Sequence, residues 1–328
     1  MPTQLIVTVD TEEEGLWNGA LKTRGNTVRN VGGTRRFQQL CDRYLITPTY
    51  LVDTPVVDDD RSRDLLKGFQ DEGRCEIGAH LHPWCAPPLD EEINDRNSYM
   101  CNLPEPLQRE KLTRLTDHVE ERFGRRPTSF RAGRYGLDIV GARILKELGY
   151  VVDSSVIGFS NYSDQGGPDF EDTPSVPYRV GGDDLRVPCE GGRLLEVPVA
   201  VGFNRVRFSR AHRLRQCAAS RWLRPLRLVG ILDRLGIVQR IKFSPEQANA
   251  ARMKRLADVF VARGAPCIVL MLHSSSLVPG CSPYVPDAAR LEECYADLES
   301  VFEHCLTKHS MTGRTLTQFA QNYDDANS

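Results

Sequence analysis

Leu5-Ile6-Val7-Thr8-Val9-Asp10-Thr11-Glu12 is a short apolar run that ends abruptly in charge. Its β-branched composition predicts a strand. The polar residues at its C-terminal end sit where barrel enzymes carry their catalytic groups. The same shape recurs outward from it. Cys75-Glu76-Ile77-Gly78-Ala79 runs into His80-Leu81-His82-Pro83-Trp84. Thr128-Ser129-Phe130 runs into Arg131-Ala132-Gly133-Arg134-Tyr135-Gly136, and Leu270-Met271-Leu272 into His273-Ser274-Ser275-Ser276. Thr49-Tyr50-Leu51-Val52 and Leu194 to Val199 add further strands.

Helical patterns separate these strands. Phe37, Leu40 and Cys41 recur at helical spacing, a charged helix spans about 61–73, and an amphipathic one fills 105–124 up to Gly124. Helices are also expected over 138–148, 287–308 and 315–323, whereas 158–193, rich in Gly, Asp and Pro, reads as long loops. Strands alternating with helices imply parallel βα units and the α/β class. The polar strand ends come from both ends of the sequence, so one barrel-like domain over 1–328 is expected rather than two.

The 328 residues carry a net charge of −2, which excludes nucleic-acid binding driven by global charge. No segment approaches the ~20 apolar residues of a membrane span. No cationic stretch followed by an apolar run opens the chain. The ten cysteines are scattered singly without a C-x-x-C pair, so they read as reduced core thiols rather than zinc ligands. The expectation from these features is a cytoplasmic protein.

Asp10 and Glu12 are two apart on an extended chain and point to one face, where two carboxylates repel unless a cation or proton lies between them. The competing reading is a solvated acidic run, because Glu13 and Glu14 follow. His80-Leu81-His82 likewise presents two imidazoles on one side, a common way for a strand to offer two nitrogen ligands. The isolated His118, His212, His304 and His309 read as structural. Arg131 at a strand end can hold an Asp ionised, against a bland reading as a surface turn. His273, ending the most apolar strand, suits a general acid or base, against a half-buried structural histidine. Together they form a kit for metal-assisted hydrolysis.

The order of these motifs resembles the polysaccharide deacetylase (NodB-homology, carbohydrate esterase family 4) family, from Thr8 to the Thr315–Phe319 segment, with 200–260 the least similar. Thr8-Val9-Asp10-Thr11 stands in place of the family's T-F-D-D. The resemblance implies Asp10 as catalytic base. Thr11 replaces the family's metal-binding Asp, and Glu12 is assigned as the carboxylate ligand on the pattern of D-x-D members; otherwise Asp10 itself binds the ion. His80 and His82 match the two metal histidines, two residues closer together than in the family. Arg131 matches the arginine that pairs with the base, and Tyr135 the residue whose backbone N–H binds the oxyanion. Asp153 in Val152-Asp153-Ser154-Ser155 resembles the aspartate that tunes the acidic histidine, which is His273. Glu196-Val197-Pro198 resembles the strand ending in Pro that the family often has. Trp84, Arg134 and Ser274, beside these motifs, are expected to touch substrate. Asp-Thr-Glu with His-Leu-His-Pro-Trp looks like an intracellular, WalW-like branch.

The resemblance implies a deformed (β/α)7 barrel with seven strands, a divalent metal (most often zinc), and removal of N-acetyl or N-formyl groups from an amino sugar or glycan precursor. Hydrolysis of a small non-sugar amide or imide, and non-catalytic glycan binding, stand as alternatives. The loops at 84–104 and 158–193 are placed to wall the pocket. A basic helical insertion spans about 205–245. From Arg205 to Lys242 it has eleven Lys or Arg against one acid, Asp233, with Trp222, Leu223, Leu226, Leu228, Val229, Ile231 and Leu232 interleaved. Such a segment can contact an anionic membrane or a phosphate-linked sugar, or it is simply an arginine-rich outer helix face. Pro225 argues against one continuous helix.

Overall fold

The computed structural model describes residues 2–18 and 21–323. Strands β1 (Gln4–Thr11), β2 (Thr49–Val52), β3 (Glu76–Leu81), β4 (Ser129–Ala132) and β5 (Val152–Asp153) come first along the chain. They are followed by β6 (Tyr178–Val180), β7 (Leu194–Glu196), β8 (Val201–Phe203), β9 (Arg240–Lys242), β10 (Cys267–His273) and β11 (Gly313–Arg314). Seven strands lie parallel in the order β10-β1-β2-β3-β4-β5-β7, with β6 antiparallel at the edge and β11 added to the start of β1. β8 and β9 pair with each other across the open side. Two backbone bonds stitch them to β10, Ala200 N–H to the Val269 carbonyl (3.3 Å) and Met271 N–H to that of Phe243 (3.2 Å), and Phe243 N–H bonds the Ala200 carbonyl (2.8 Å) between the two short strands. The result is the deformed (β/α)7 barrel that the resemblance implies, built of the parallel βα units that the alternation predicts.

Strand alternation sorts the side chains. Leu5, Val7 and Val9 pack outward into the main core between sheet and helices. Ile6 points the other way and joins Leu51, Val152, Leu195 and Val269, against which Leu316, Phe319 and Ala320 of the C-terminal helix Leu316–Tyr323 close the lower end of the barrel. Beyond Ile6 on that inner face come Thr8, Asp10 and Glu12, so the interior turns from apolar to polar toward the C-terminal strand ends.

The expected helices form where capping and stop signals place them. Asp138 caps Ile139–Glu147 by accepting from the Gly141 N–H, and Gly124, at φ 76°, ends Glu105–Phe123 in the left-handed conformation. The charged helix forms as Asp60–Asp71, capped by Asp59, and a short helix Thr54–Asp58, capped by Asp53, precedes it. The basic segment forms two helices, Phe208–Ala219 and Leu228–Arg234, interrupted around Pro225. Among the described residues no helix is long and apolar enough to cross a membrane.

Candidate active site

Register brings the motif residues together. Asp10 of β1 lies directly beside His273 of β10, and His80 of β3 beside Arg131 of β4. Glu12, one residue past β1, places Oε2 3.2 Å from His80 Nε2 and 3.3 Å from His82 Nε2, all three side chains being almost wholly buried. The ring of His80 donates from Nδ1 to the Arg131 carbonyl at 2.9 Å, and Nδ1 of His82 donates to Glu13 Oε2 at 2.8 Å. Both Nε2 lone pairs therefore face a carboxylate oxygen, while the other oxygen, Glu12 Oε1, is buried without a hydrogen-bond partner. Two ring nitrogens and a carboxylate oxygen this close in a dry pocket need a proton or a cation between them. Two imidazoles and a carboxylate form a donor set suited to zinc, so these residues fit a divalent ion. Thr11, where the family has its ligand, turns its hydroxyl back to the Val9 carbonyl. Its neighbour Glu12 reaches instead.

A second layer holds the histidines. Glu13 Oε1 accepts from the Trp84 indole at 2.7 Å, and Trp84 stacks on His82 with ring centroids 4.3 Å apart. Asp53 accepts the Glu13 N–H at 3.0 Å, and the two carboxyls stand beside one another around His82. Burial and the charge of Glu13 push Asp53 well above the usual carboxylate range; burial also raises Glu13, but His82 and its hydrogen-bond donors outweigh that and pull it below its usual range. Glu13, Asp53, His82 and Cys85 are thus a cluster of potential ligands whose donors and acceptors already serve one another. Gly133 is required opposite them: a Cβ there would lie 2.2 Å from His82 Cδ2.

Arg131, wholly buried, reaches Asp10 Oδ1 with Nη1 at 2.5 Å and is fixed by the Ser154 carbonyl and hydroxyl, both at 2.8 Å. Burial would raise the Asp10 carboxyl, but Arg131, with His80 and His273, more than offsets it and holds the group at about 2. His273 Nε2 lies 4.0 Å from Asp10 Oδ2, while its Nδ1 bonds Glu246 at 2.9 Å. Burial lowers His273, yet the charges of Glu246, Glu12 and Asp10 push it up to about 9. An ionised carboxylate and a protonated imidazole thus face each other across the mouth.

The structure also redistributes roles. The carboxylate on the His273 ring is Glu246, not Asp153. Asp153 instead accepts from the Ser155 hydroxyl at 2.6 Å and lies opposite Glu196 of the next strand, both carboxyls being raised by burial and Glu196 also by the charge of Asp153. Ser274 is wholly buried and accepts from the Glu12 N–H (3.2 Å) and the Asn30 amide (2.9 Å), so it positions Glu12 rather than meeting substrate. Trp84 reaches the cavity wall, but its polar end is committed to Glu13. Arg134 lines the cavity while bonded to Ser98 at 2.6 Å and lying over the Tyr99 ring. Arg134 and Tyr135 both have positive φ, 53° and 61°, a turn that costs roughly 1–3 kcal/mol per residue and re-aims the backbone after β4. His118, His304 and His309 bond Asp58 and Asp258, consistent with structural roles.

Sequence reading missed Glu13, Asp53, Lys242, Glu246 and Trp17. Trp17 stands edge-on to both His273 and Tyr284 with centroids 5.1 Å apart. Lys242, buried at the end of β9, donates to the Tyr135 hydroxyl at 2.8 Å. The cavity, about 390 Å³, is walled by Trp17, Tyr99, Tyr135, Tyr162 and Tyr284 around Asp10, Glu12, His80 and His273. As expected, the 84–104 and 158–193 loops supply Tyr99 and Tyr162.

No family model matches the chain, and no curated protein matches it in sequence. Solved structures do. A protein from Mycobacterium smegmatis assigned as a polysaccharide deacetylase superposes with a TM-score of 0.56 at 16% identity, over 100% of this chain and 92% of that one. Another from Pseudomonas aeruginosa PAO1 gives 0.54 at 14%, over 98% and 91%. The PuuE allantoinase gives 0.55 at 13%, over 98% and 90%. The chain has the fold of the polysaccharide deacetylases, a fold it shares with an allantoinase.

Proposed function

We propose that this chain is a metal-dependent hydrolase that removes an acyl group, acetyl or formyl, from the nitrogen of an amino sugar or short glycan precursor. One observation carries the reading: the Glu12–His80–His82 donor set, the Asp10–Arg131 pair and the His273–Glu246 pair meet at a single cavity mouth. Zinc is the ion the donors suit; bound there, it supplies positive charge that polarises an amide carbonyl and acidifies water. Asp10, kept ionised by Arg131, takes the proton of the attacking water. His273, oriented by Glu246, gives a proton to the departing amine. The backbone N–H of Tyr135, turned by the left-handed bend, faces the developing oxyanion. The aromatic walls suit the face of a sugar ring, and the cavity's size suits one or two units rather than a long polymer.

A small non-sugar amide or imide is the second reading. The small cavity, about 390 Å³, favours it, and the allantoinase with the same fold is an enzyme whose name points to such a substrate. A panel of N-acetyl and N-formyl sugars and of cyclic imides, scored for acetate, formate or ring opening, separates the two. Asp10→Asn is expected to keep its metal and lose several orders of magnitude in rate; full activity in it refutes the base assignment. His80→Ala with His82→Ala is expected to strip the metal, and an undiminished metal content in that variant refutes the site.

A further inference from the structure

The two halves of the basic segment differ. The helix Phe208–Ala219 buries Phe208, Ala211, His212 and Ala218, as an ordinary barrel helix does. From 219 to 237 no described side chain is buried, and the helix Leu228–Arg234 has no buried residue. Trp222 is 89% exposed, Leu235 66%, Leu226 59% and Ile231 48%. A helix of seven residues is not stable by itself and normally presses its apolar stripe into a core. This one leaves Leu228, Val229 and Leu232 only half-buried and Ile231 exposed. The segment's single acid, Asp233, is paired with Arg252 at 2.6 Å, which leaves eleven cations between Arg205 and Lys242 in a chain of net charge −2.

We propose that residues 220–237 dock on the surface of an anionic lipid bilayer. Exposed tryptophan between arginines, with aliphatic side chains alongside, matches the bilayer interface: indole and guanidinium at the headgroups, leucine and isoleucine at the acyl boundary. Nucleic acid would answer the charge but give Leu226, Ile231 and Leu235 no apolar medium. The hairpin also leads straight into β9, where Arg240 donates to the Phe159 carbonyl at 3.0 Å and Lys242 to the Tyr135 hydroxyl at the cavity. A docked hairpin therefore sets the cavity mouth beside the membrane, and on the reading as a hydrolase its substrate is an N-acylated headgroup or a lipid-carried sugar. Docking itself does not depend on that reading.

The test is sedimentation of the full chain with phosphatidylcholine vesicles, with and without phosphatidylglycerol, alongside tryptophan emission. Of the three tryptophans, Trp84 is buried and Trp17 is packed in the cavity, so a blue shift reports Trp222. Binding to the anionic vesicles alone is expected, weakened by salt, with the blue shift lost in Trp222→Ala. Arg221→Gln with Arg227→Gln should cut partitioning about 25-fold, from about fivefold per cation. The proposal is overturned by no sedimentation at low salt, by binding insensitive to these substitutions, by hairpin-dependent self-association without lipid binding, or by heparin binding without vesicle binding. Asp10→Asn should bind vesicles like the parent, so an inactive but membrane-bound chain separates failure of the hydrolase reading from failure of this one.

Discussion

Glu13→Gln tests the site through a change of two atoms. Glu13 accepts two hydrogen bonds, from His82 Nδ1 at 2.8 Å and from the Trp84 indole at 2.7 Å. A glutamine has one carbonyl oxygen and one NH₂ group, so it can accept from only one of them. If the oxygen serves Trp84, the NH₂ meets His82 Nδ1. The imidazole must then move its proton to Nε2, the nitrogen that faces Glu12 at 3.3 Å, and loses the lone pair a metal needs there. If the oxygen serves His82, the buried indole N–H goes unpaired. The first outcome removes an outer-shell partner, worth about 10–100-fold in metal affinity, or roughly 1.4–2.8 kcal/mol. The second costs about 1–3 kcal/mol of stability. With an unfolding entropy near 2.1 cal/mol/K per residue, the latter lowers Tm by about 1.5–4 °C. Competition with a chromophoric chelator measures the affinity, and thermal unfolding of the metal-free protein measures the stability. Asp53→Asn is the comparison: the two Asp53 oxygens accept the backbone N–H groups of Glu13 and Val56, so an amide there loses one acceptor and should lower Tm, while Glu13 still accepts from His82 and Trp84 and the metal affinity should stay near the parent's. A Glu13→Gln protein with unchanged affinity and unchanged Tm would refute the orienting network.

Two further predictions follow from other paired charges. Lys111, wholly buried, donates to the carbonyls of Pro83, Ala86 and Pro88 and pairs with Glu91 at 2.9 Å, so Lys111→Met should cost about 3–5 kcal/mol and about 4–7 °C in Tm; a shift under a degree would show that the ammonium does not pin the loop after His82. Burial raises the Asp258 carboxyl, but bonds from His309, Lys308 and His304 outweigh it and hold it at about 2; a depressed carboxyl stabilises above its unfolded value of 3.8 and loses that contribution as pH falls through 2. Urea unfolding should therefore find Asp258→Asn weaker than the parent by about 1 kcal/mol at pH 5, after discount for solvent screening, with the gap closing below pH 4; a gap that persists to pH 2 would contradict the linkage.

Much of the barrel was legible because each motif residue sits within a few positions of an apolar run. Strand geometry fixes the side on which i and i+2 emerge, so Asp10 with Glu12 and His80 with His82 were readable as pairs without knowing their neighbours. What joins strand to strand was not readable this way. Glu246 lies in a loop after β9 with no periodicity of its own, and nothing local distinguishes it from a solvated glutamate. Only the closing of β9 against β10 brings it to His273. Asp153 was assigned that partner because it, too, ends a strand. Its strand, however, lies next to β7, where the nearest carboxylate is Glu196. Glu13 was hidden by its company: three glutamates in a row read as a charged surface, yet Glu12 and Glu13 are 2% exposed and only Glu14 reaches the edge of the fold. A signal was nevertheless present, since Trp84 and His82 each bring a buried N–H that needs an acceptor.

The fold alone does not choose the reaction, because a sugar deacetylase and an allantoinase share it. What chooses is how charge is balanced at the mouth. Glu12, Glu13, Asp10 and Glu246 are four acids within one buried neighbourhood, answered by Arg131, Lys242 and His273. Arg131 is spent on Asp10 and Lys242 is turned to Tyr135, so the oxygen of Glu12 between two imidazole lone pairs is the place left for one more positive charge. A site built only to bind glycan has no use for an ionised Asp10 and a protonated His273 set 4.0 Å apart beside it. A hydrolase needs both, one to receive a proton and one to return it, and this opposition is the strongest argument for turnover rather than mere binding.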